Sequence, residues 1–186
     1  TANNRVAGPD YPDLLGWDYV SGDRAERIIE LLLSRDKVDV DWVRKMQVDQ
    51  VSPSAQSIAR AIGGLHVENP RLAAVVERMR AWDGRLSAGS AEADIYEAFT
   101  HQALWVLLEN RLGDLLPSYC GAMFNDTSGF WLWGHHAREW LRRELLRTSS
   151  PWFDLGMEGA VERGGALELA LARAVDFLTT TFGADM

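Results

Sequence analysis

The chain has 186 residues, enough for one domain with a sizeable core, and 47% of them are hydrophobic, with eight Trp. A formal charge of −8 and a pI near 5.0 exclude a nucleic-acid partner, whose phosphates need a basic face, and an anionic membrane surface for the same reason. The longest apolar run in the long helical patterns, 103–108, is far too short to span a bilayer. The one cysteine, Cys120, excludes an internal disulfide and reads as an inert thiol. A chain opening at Thr1 with no initiator methionine, signal peptide or lipidation motif reads as cut from something longer.

Residues 1–22 are polar and punctuated by Gly8-Pro9, Tyr11-Pro12, Gly16 and Gly22, which predicts an irregular opening segment ahead of a helical domain over 23–186. By themselves Asn3 and Asn4 read as turn residues at a frayed end. An Asn held rigidly in such a segment can instead donate a hydrogen bond to a developing oxyanion. Asp23 or Ser21 should cap a helix over 24–33 with an Ile28, Leu31, Leu32 stripe. Asp39 should cap a second helix from Val40 to about Gln50, burying Trp42, Val43 and Met46. Ser52-Pro53 and Asn69-Pro70 are start signals for helices ending at Gly63-Gly64 and near Trp82, and Asp83-Gly84-Arg85 predicts a turn.

Ser90 opens the longest pattern, 91–112, which would run roughly 33 Å. Its later half is apolar nearly all round, as a central buried helix would be, and Gly113 should end it. Residues 117–133 are ambiguous between irregular and extended, around a 125–129 loop. Gly134 should precede a helix from His135 to about Arg147, 149–154 form a turn, and Glu158 to about Phe182 is the last helix, weakened by Gly164-Gly165. The expectation is an all-α, irregular domain of about six to eight helices, with no solenoid repeat.

Few constellations carry chemistry by residue type alone. His135, His136 and Glu139 could share a helix face around a metal, but a site needs three or four ligands and the rest are missing, so ordinary helix residues are the better reading. His66 and His101 stand alone. Gln47 and Asp49 suggest a buried polar network that fixes packing, and Arg24 and Arg27 should be solvated or paired with Asp18, Asp23 or Glu30.

Four strings change this picture together. They are Thr1-Ala2-Asn3-Asn4-Arg5-Val6 with Tyr11-Pro12 and Asp23-Arg24-Ala25-Glu26-Arg27-Ile28; Met46 to Ser52; Leu72 through Trp82-Asp83-Gly84 to Ile95-Tyr96 and Phe99; and Ser150-Pro151-Trp152-Phe153-Asp154 leading to Phe182-Gly183-Ala184-Asp185. In this order and spacing they resemble the penicillin acylase family of N-terminal nucleophile hydrolases, with 117–133 matching poorly. The resemblance implies a self-cutting precursor (a zymogen) of an amide hydrolase acting on N-acyl compounds such as penicillins or acyl-homoserine lactones. Its nucleophile is the N-terminal Ser of the large subunit, with its own α-amino group as base. That Ser lies upstream of this helical middle section, so the chain alone is expected to be inactive. By the same resemblance Asn3 stabilises the oxyanion and Arg24 orders the site. No cofactor is implied beyond calcium in the parent, for which Asp13 is a candidate ligand whose spacing does not align cleanly. The implied partners are the small subunit, the rest of the large subunit and a small N-acyl substrate, and the implied compartment is periplasmic or secreted. The competing reading is a non-catalytic helical protein-interaction domain.

Overall fold

The computed structural model describes residues 2–8, 10–16, 19–116, 130–156 and 162–183, and for 130–135 the backbone alone. Thr1, Asp18, Cys120, the 117–129 stretch with its loop, Glu158 and Asp185 lie outside the described residues. Seven α-helices are described: α1 Asp23–Leu33, α2 Val40–Gln47, α3 Pro53–Gly63, α4 Pro70–Ala81, α5 Ala91–Leu112, α6 Phe130–Leu145 and α7 Arg163–Phe182. Short 3-10 turns occupy Gly113–Leu115 and Pro151–Phe153. Among the described residues there is no strand, only one antiparallel bridge, Val51 with Arg85. None of the described helices is long and apolar enough to cross a membrane.

The helix starts follow the local chemistry. The Ser52 hydroxyl accepts from Ala55 N at 3.2 Å, the Asn69 side chain from Arg71 N at 2.9 Å and Ser90 from Ala93 N at 3.2 Å. Each satisfies an amide that the first turn leaves without an intrahelical partner. α1 departs from expectation. Gly22 is its N-cap without a side-chain bond, and Asp23 is already helical. Its carboxylate is used elsewhere, as described below.

The core forms around α5, whose Phe99, Ala103, Leu104 and Leu107 are buried. It packs most extensively on α7, where Ala166, Ala170 and Ala174 recur every four residues and let the two helices approach closely. Ile58 and Ile62 of α3, Val76 and Met79 of α4, and Leu141 and Leu145 of α6 close the same cluster. At about 25 cal/mol per Å² of apolar surface, each such side chain contributes roughly 1.5–3 kcal/mol. His101 of α5 is half-buried, and desolvation, then the Arg138 charge, push its imidazole down to about 4, so it is neutral at pH 7.

Three expectations need correction. Phe130–Trp133 is helical and not extended, and Gly134 lies inside α6 and not before it. A mid-helix glycine costs only about 1 kcal/mol, which the buried Ala137, Leu141 and Leu145 of the same helix offset. α1 and α2, although amphipathic, bury no residue. Ile28, Leu32 and Val43 are 44%, 40% and 41% exposed, so the stripes exist but the described residues cover them only in part.

The turn at Asp83-Gly84-Arg85 ties two segments together. Ser52 N donates to Gly84 O at 3.0 Å and Leu86 N to Gln50 O at 2.9 Å, pinning the 50–52 segment against 84–86. Gly84 has φ +81, and an added Cβ would meet Gln56 Cγ at 2.5 Å and Ser52 O at 3.2 Å. Gln56 cannot swing aside freely, because its Nε2 donates to Asp83 O. Gly84→Ala should therefore cost about 2 kcal/mol from left-handed strain and overpacking together. Urea unfolding of the chain checks this, and an unchanged midpoint would show that the turn relaxes.

Candidate functional site

The opening segment and the first turn of α1 meet over a cavity of about 940 Å³. Its wall draws on Asn3, on Arg24 and Arg27 of α1, on Asp49 after α2, and on Tyr96 and Arg138 from α5 and α6. The cavity combines an apolar floor with a few fixed polar groups, the usual composition of a small-molecule site.

Asn3 sits at φ 62, the one non-glycine residue at positive φ among those described. Asn tolerates this region better than most residues because its short polar side chain bonds locally. Three bonds tie Ala2 and Asn3 to Val20 and to Arg24 at the start of α1. Val20 N donates to Asn3 O at 3.1 Å, and Arg24 Nη2 donates to Asn3 Oδ1 at 2.7 Å and to Ala2 O at 2.8 Å. The guanidinium fixes the amide's orientation, since a cation must face the oxygen. The NH2 end is then left over, with no acceptor among the described residues. Charge drawn toward Oδ1 also makes that N–H a stronger donor. Among the described residues Arg24 has no carboxylate partner; its positive charge is spent on an amide and a carbonyl. Asn4 differs: its Oδ1 accepts from Ala2 N at 3.2 Å and its Nδ2 donates to Arg5 O at 2.9 Å, so both ends close the local turn.

One turn further along α1, Arg27 makes a two-pronged bond to Asp49, Nε to Oδ2 at 2.7 Å and Nη2 to Oδ1 at 3.0 Å, with Glu30 at 2.9 Å on the outside. The Arg27 hydrogen bond holds the Asp49 carboxyl below the usual carboxylate range against the opposing effect of desolvation, and Asp49 in turn raises Arg27. Asp49 therefore belongs to a polar tie, as its residue type suggested, but from the loop after α2, while Gln47 is exposed. At the far wall Arg138 pairs with Glu97, one bond measuring 3.0 Å. Burial raises the pKa of Tyr96 beside it.

Of the other sequence candidates Glu139 also lines this cavity, beside Arg138. Asp13 is exposed in the 10–16 coil and does not line it. Among the described residues no three His, Cys, Asp or Glu side chains gather as a metal would need, so Asp13 has no described companions for a calcium ion. His136 is exposed, and Glu139 faces Arg142 at 3.5 Å. Sequence reading passed over Arg142 of α6. Its signal is faint: Arg138 and Arg142 are four apart on α6, flanking the stripe of Ala137, Leu141 and Leu145.

Penicillin acylase 2 proenzyme of Pseudomonas sp. strain SE83 is 37% identical over 114 residues, which cover 61% of this chain and 15% of that protein. Acyl-homoserine lactone acylase QuiP of Pseudomonas aeruginosa is 26% identical across 100% of this chain and 23% of its own length. The QuiP of Pseudomonas fluorescens strain Pf0-1 is 28% identical across 100% of this chain and 24% of its own. The chain thus spans less than a quarter of the curated relatives it matches. The sequence pattern of penicillin amidase matches residues 1–186 throughout, and the chain belongs to the penicillin amidase family.

Proposed function

We propose that this chain is the helical section of the large subunit of a self-processing amide hydrolase, and that it contributes one oxyanion donor, the Asn3 amide oriented by Arg24. The supporting observation is the 2.7 Å bond from Arg24 Nη2 to Asn3 Oδ1, which leaves Nδ2–H directed away from the guanidinium. Residues 1–22 would carry the donor and 23–186 the scaffold beneath it. The remainder of the parent would supply the N-terminal Ser. Its hydroxyl adds to the amide carbonyl while its α-amino group, through a water, takes the proton; that amine's ordinary pKa of about 7.7–8.0 suits the task. The carbonyl oxygen becomes an oxyanion and Asn3 Nδ2–H donates to it. The protonated α-amino group returns its proton to the leaving nitrogen, collapse expels the amine and leaves an ester on Ser, and water, giving its proton to the same α-amino group, then cleaves that ester to the acid and free Ser. The substrate class is an N-acyl amide, of a β-lactam nucleus or of homoserine lactone, after the names of the relatives.

The test is an intact-mass spectrum of the full-length gene product, followed by assay with a chromogenic phenylacetyl amide and an acyl-homoserine lactone. Two chains, the larger beginning with Ser and containing Asn3, with amide turnover by the processed enzyme and none by residues 1–186, are expected. A single uncut chain, or turnover by residues 1–186 alone, would overturn the proposal.

A further inference from the structure

The orientation of the Asn3 amide depends on the first turn of α1, because its Oδ1 is held by Arg24. α1 buries no residue and packs only lightly, against α3, so polar ties contribute much of what locates that turn. One comes from α6. Arg142 Nη1 donates to Asp23 Oδ1 at 3.1 Å, with both side chains only 18% exposed, and Ser21 Oγ donates to Asp23 Oδ2 at 3.1 Å. Arg142 also lies 3.7 Å from Glu26, one turn along α1, and 3.5 Å from Glu139 on its own helix.

Arg142 is well suited to act as an anchor. Its neighbour Leu141 and Leu145, one turn on, are fully buried, so the backbone that carries it moves with the core. The planar guanidinium can hold Asp23 and Glu26 together, which fixes both the height and the rotation of α1. Asp23 is joined by one peptide bond to Arg24, the residue that orients the Asn3 amide. A continuous path thus runs from the core through Arg142, Asp23 and Arg24 to Asn3. We propose that Arg142 is a positioning residue for the oxyanion donor, acting across 119 residues of sequence through Asp23. This rests on the oxyanion reading of Asn3.

The experiment is a double-mutant cycle in the processed parent enzyme. Arg142→Met, which keeps the apolar stem and removes the guanidinium, should lower kcat about tenfold while KM changes less than about twofold, because a donor displaced by a fraction of an ångström is lost chiefly in the transition state. In the Asn3→Ala background the same substitution should change kcat by less than about twofold, since its effect passes through the missing amide. Arg142→Lys, still able to reach Asp23 with one ammonium, should recover most of the loss. Equal losses in both backgrounds would show a merely structural role and overturn the proposal, as would unchanged kcat for Arg142→Met alone. Unchanged kcat for Asn3→Ala alone would instead remove the oxyanion reading, a distinct failure read from a variant with Arg142 intact. Where Arg142→Met does not yield processed enzyme, Asp23→Asn carries the same cycle with the same expected and overturning results.

Discussion

Replacing Asn3 by Ala in the parent enzyme is expected to lower kcat by about 10²–10³-fold, or roughly 3–4 kcal/mol of transition-state stabilisation, with little change in KM. The size follows from timing. The carbonyl oxygen carries little charge while substrate binds and a full charge in the tetrahedral intermediate, so a donor aimed at it acts almost entirely on the chemical step. The Arg24 bond at 2.7 Å raises the effect by holding the amide in one orientation before the reaction begins. Backbone strain is a confounding cause, because Asn3 sits at φ 62 and Ala tolerates that region less well. Asn3→Gly separates the two. Glycine accepts positive φ without strain but lacks the amide. Equal losses in kcat for the Ala and Gly variants assign the effect to the amide. Near-normal kcat in the Gly variant would remove Asn3 from the oxyanion role, and Asn4 could not replace it, since both ends of its amide are engaged within the turn.

What could be read from the sequence divides along the range of the interaction. The limits of α5, 91–112, were legible because Ser90 and Gly113 are local signals and cap geometry is decided within a turn. Its central burial was legible too, since a helix apolar on all sides has to be enclosed. The stripes of α1 and α2 were legible as stripes, but amphipathicity says that a face is apolar and not what covers it. Ile28 and Val43 are accordingly exposed in this chain. The start of α6 was misread because Gly134 resembles a boundary and the aromatic run before it resembles a strand; burial further along the helix decided otherwise. In the site, Asn3 and Arg24 were reached only through their place in a family pattern. Their residue types alone favour a turn and a solvated charge. Arg142 with Asp23, and Arg27 with Asp49, connect distant segments and leave no periodic trace. Only the folded chain brings them together.

Those long-range ties also set where the structure should yield first. Asp49→Ala is expected to cost about 3 kcal/mol, the lower end of the range for breaking a desolvated ion pair, because Arg27 and Asp49 remain 19% and 14% exposed and water relieves part of the stranded charge. The loss should be local. α1 and α2 have no buried side chains, so with this bond removed the described ties left to them are chiefly those of Arg142 to Asp23 and Glu26, the bond from Trp42 Nε1 to Leu31 O and light packing on α3. Hydrogen exchange on the chain should show amides of α1 and α2 losing protection while α5 and α7 keep theirs. Acid should have the same effect on the unmutated protein. Arg27 depresses the Asp49 pKa, so the unfolded segment binds the proton more readily than the folded one. The stabilisation is present in full above the ordinary Asp value of about 3.9 and is lost as pH falls through the lower, folded value. α1 protection should therefore fall below about pH 4 in the unmutated chain, and Asp49→Asn, which has no proton to gain there, should flatten that dependence. Uniform loss across α5 and α7 would mean that the pair supports the whole fold. Unchanged α1 protection in Asp49→Ala would mean that the Arg142–Asp23 tie alone keeps the first turn, and with it Asn3, in place.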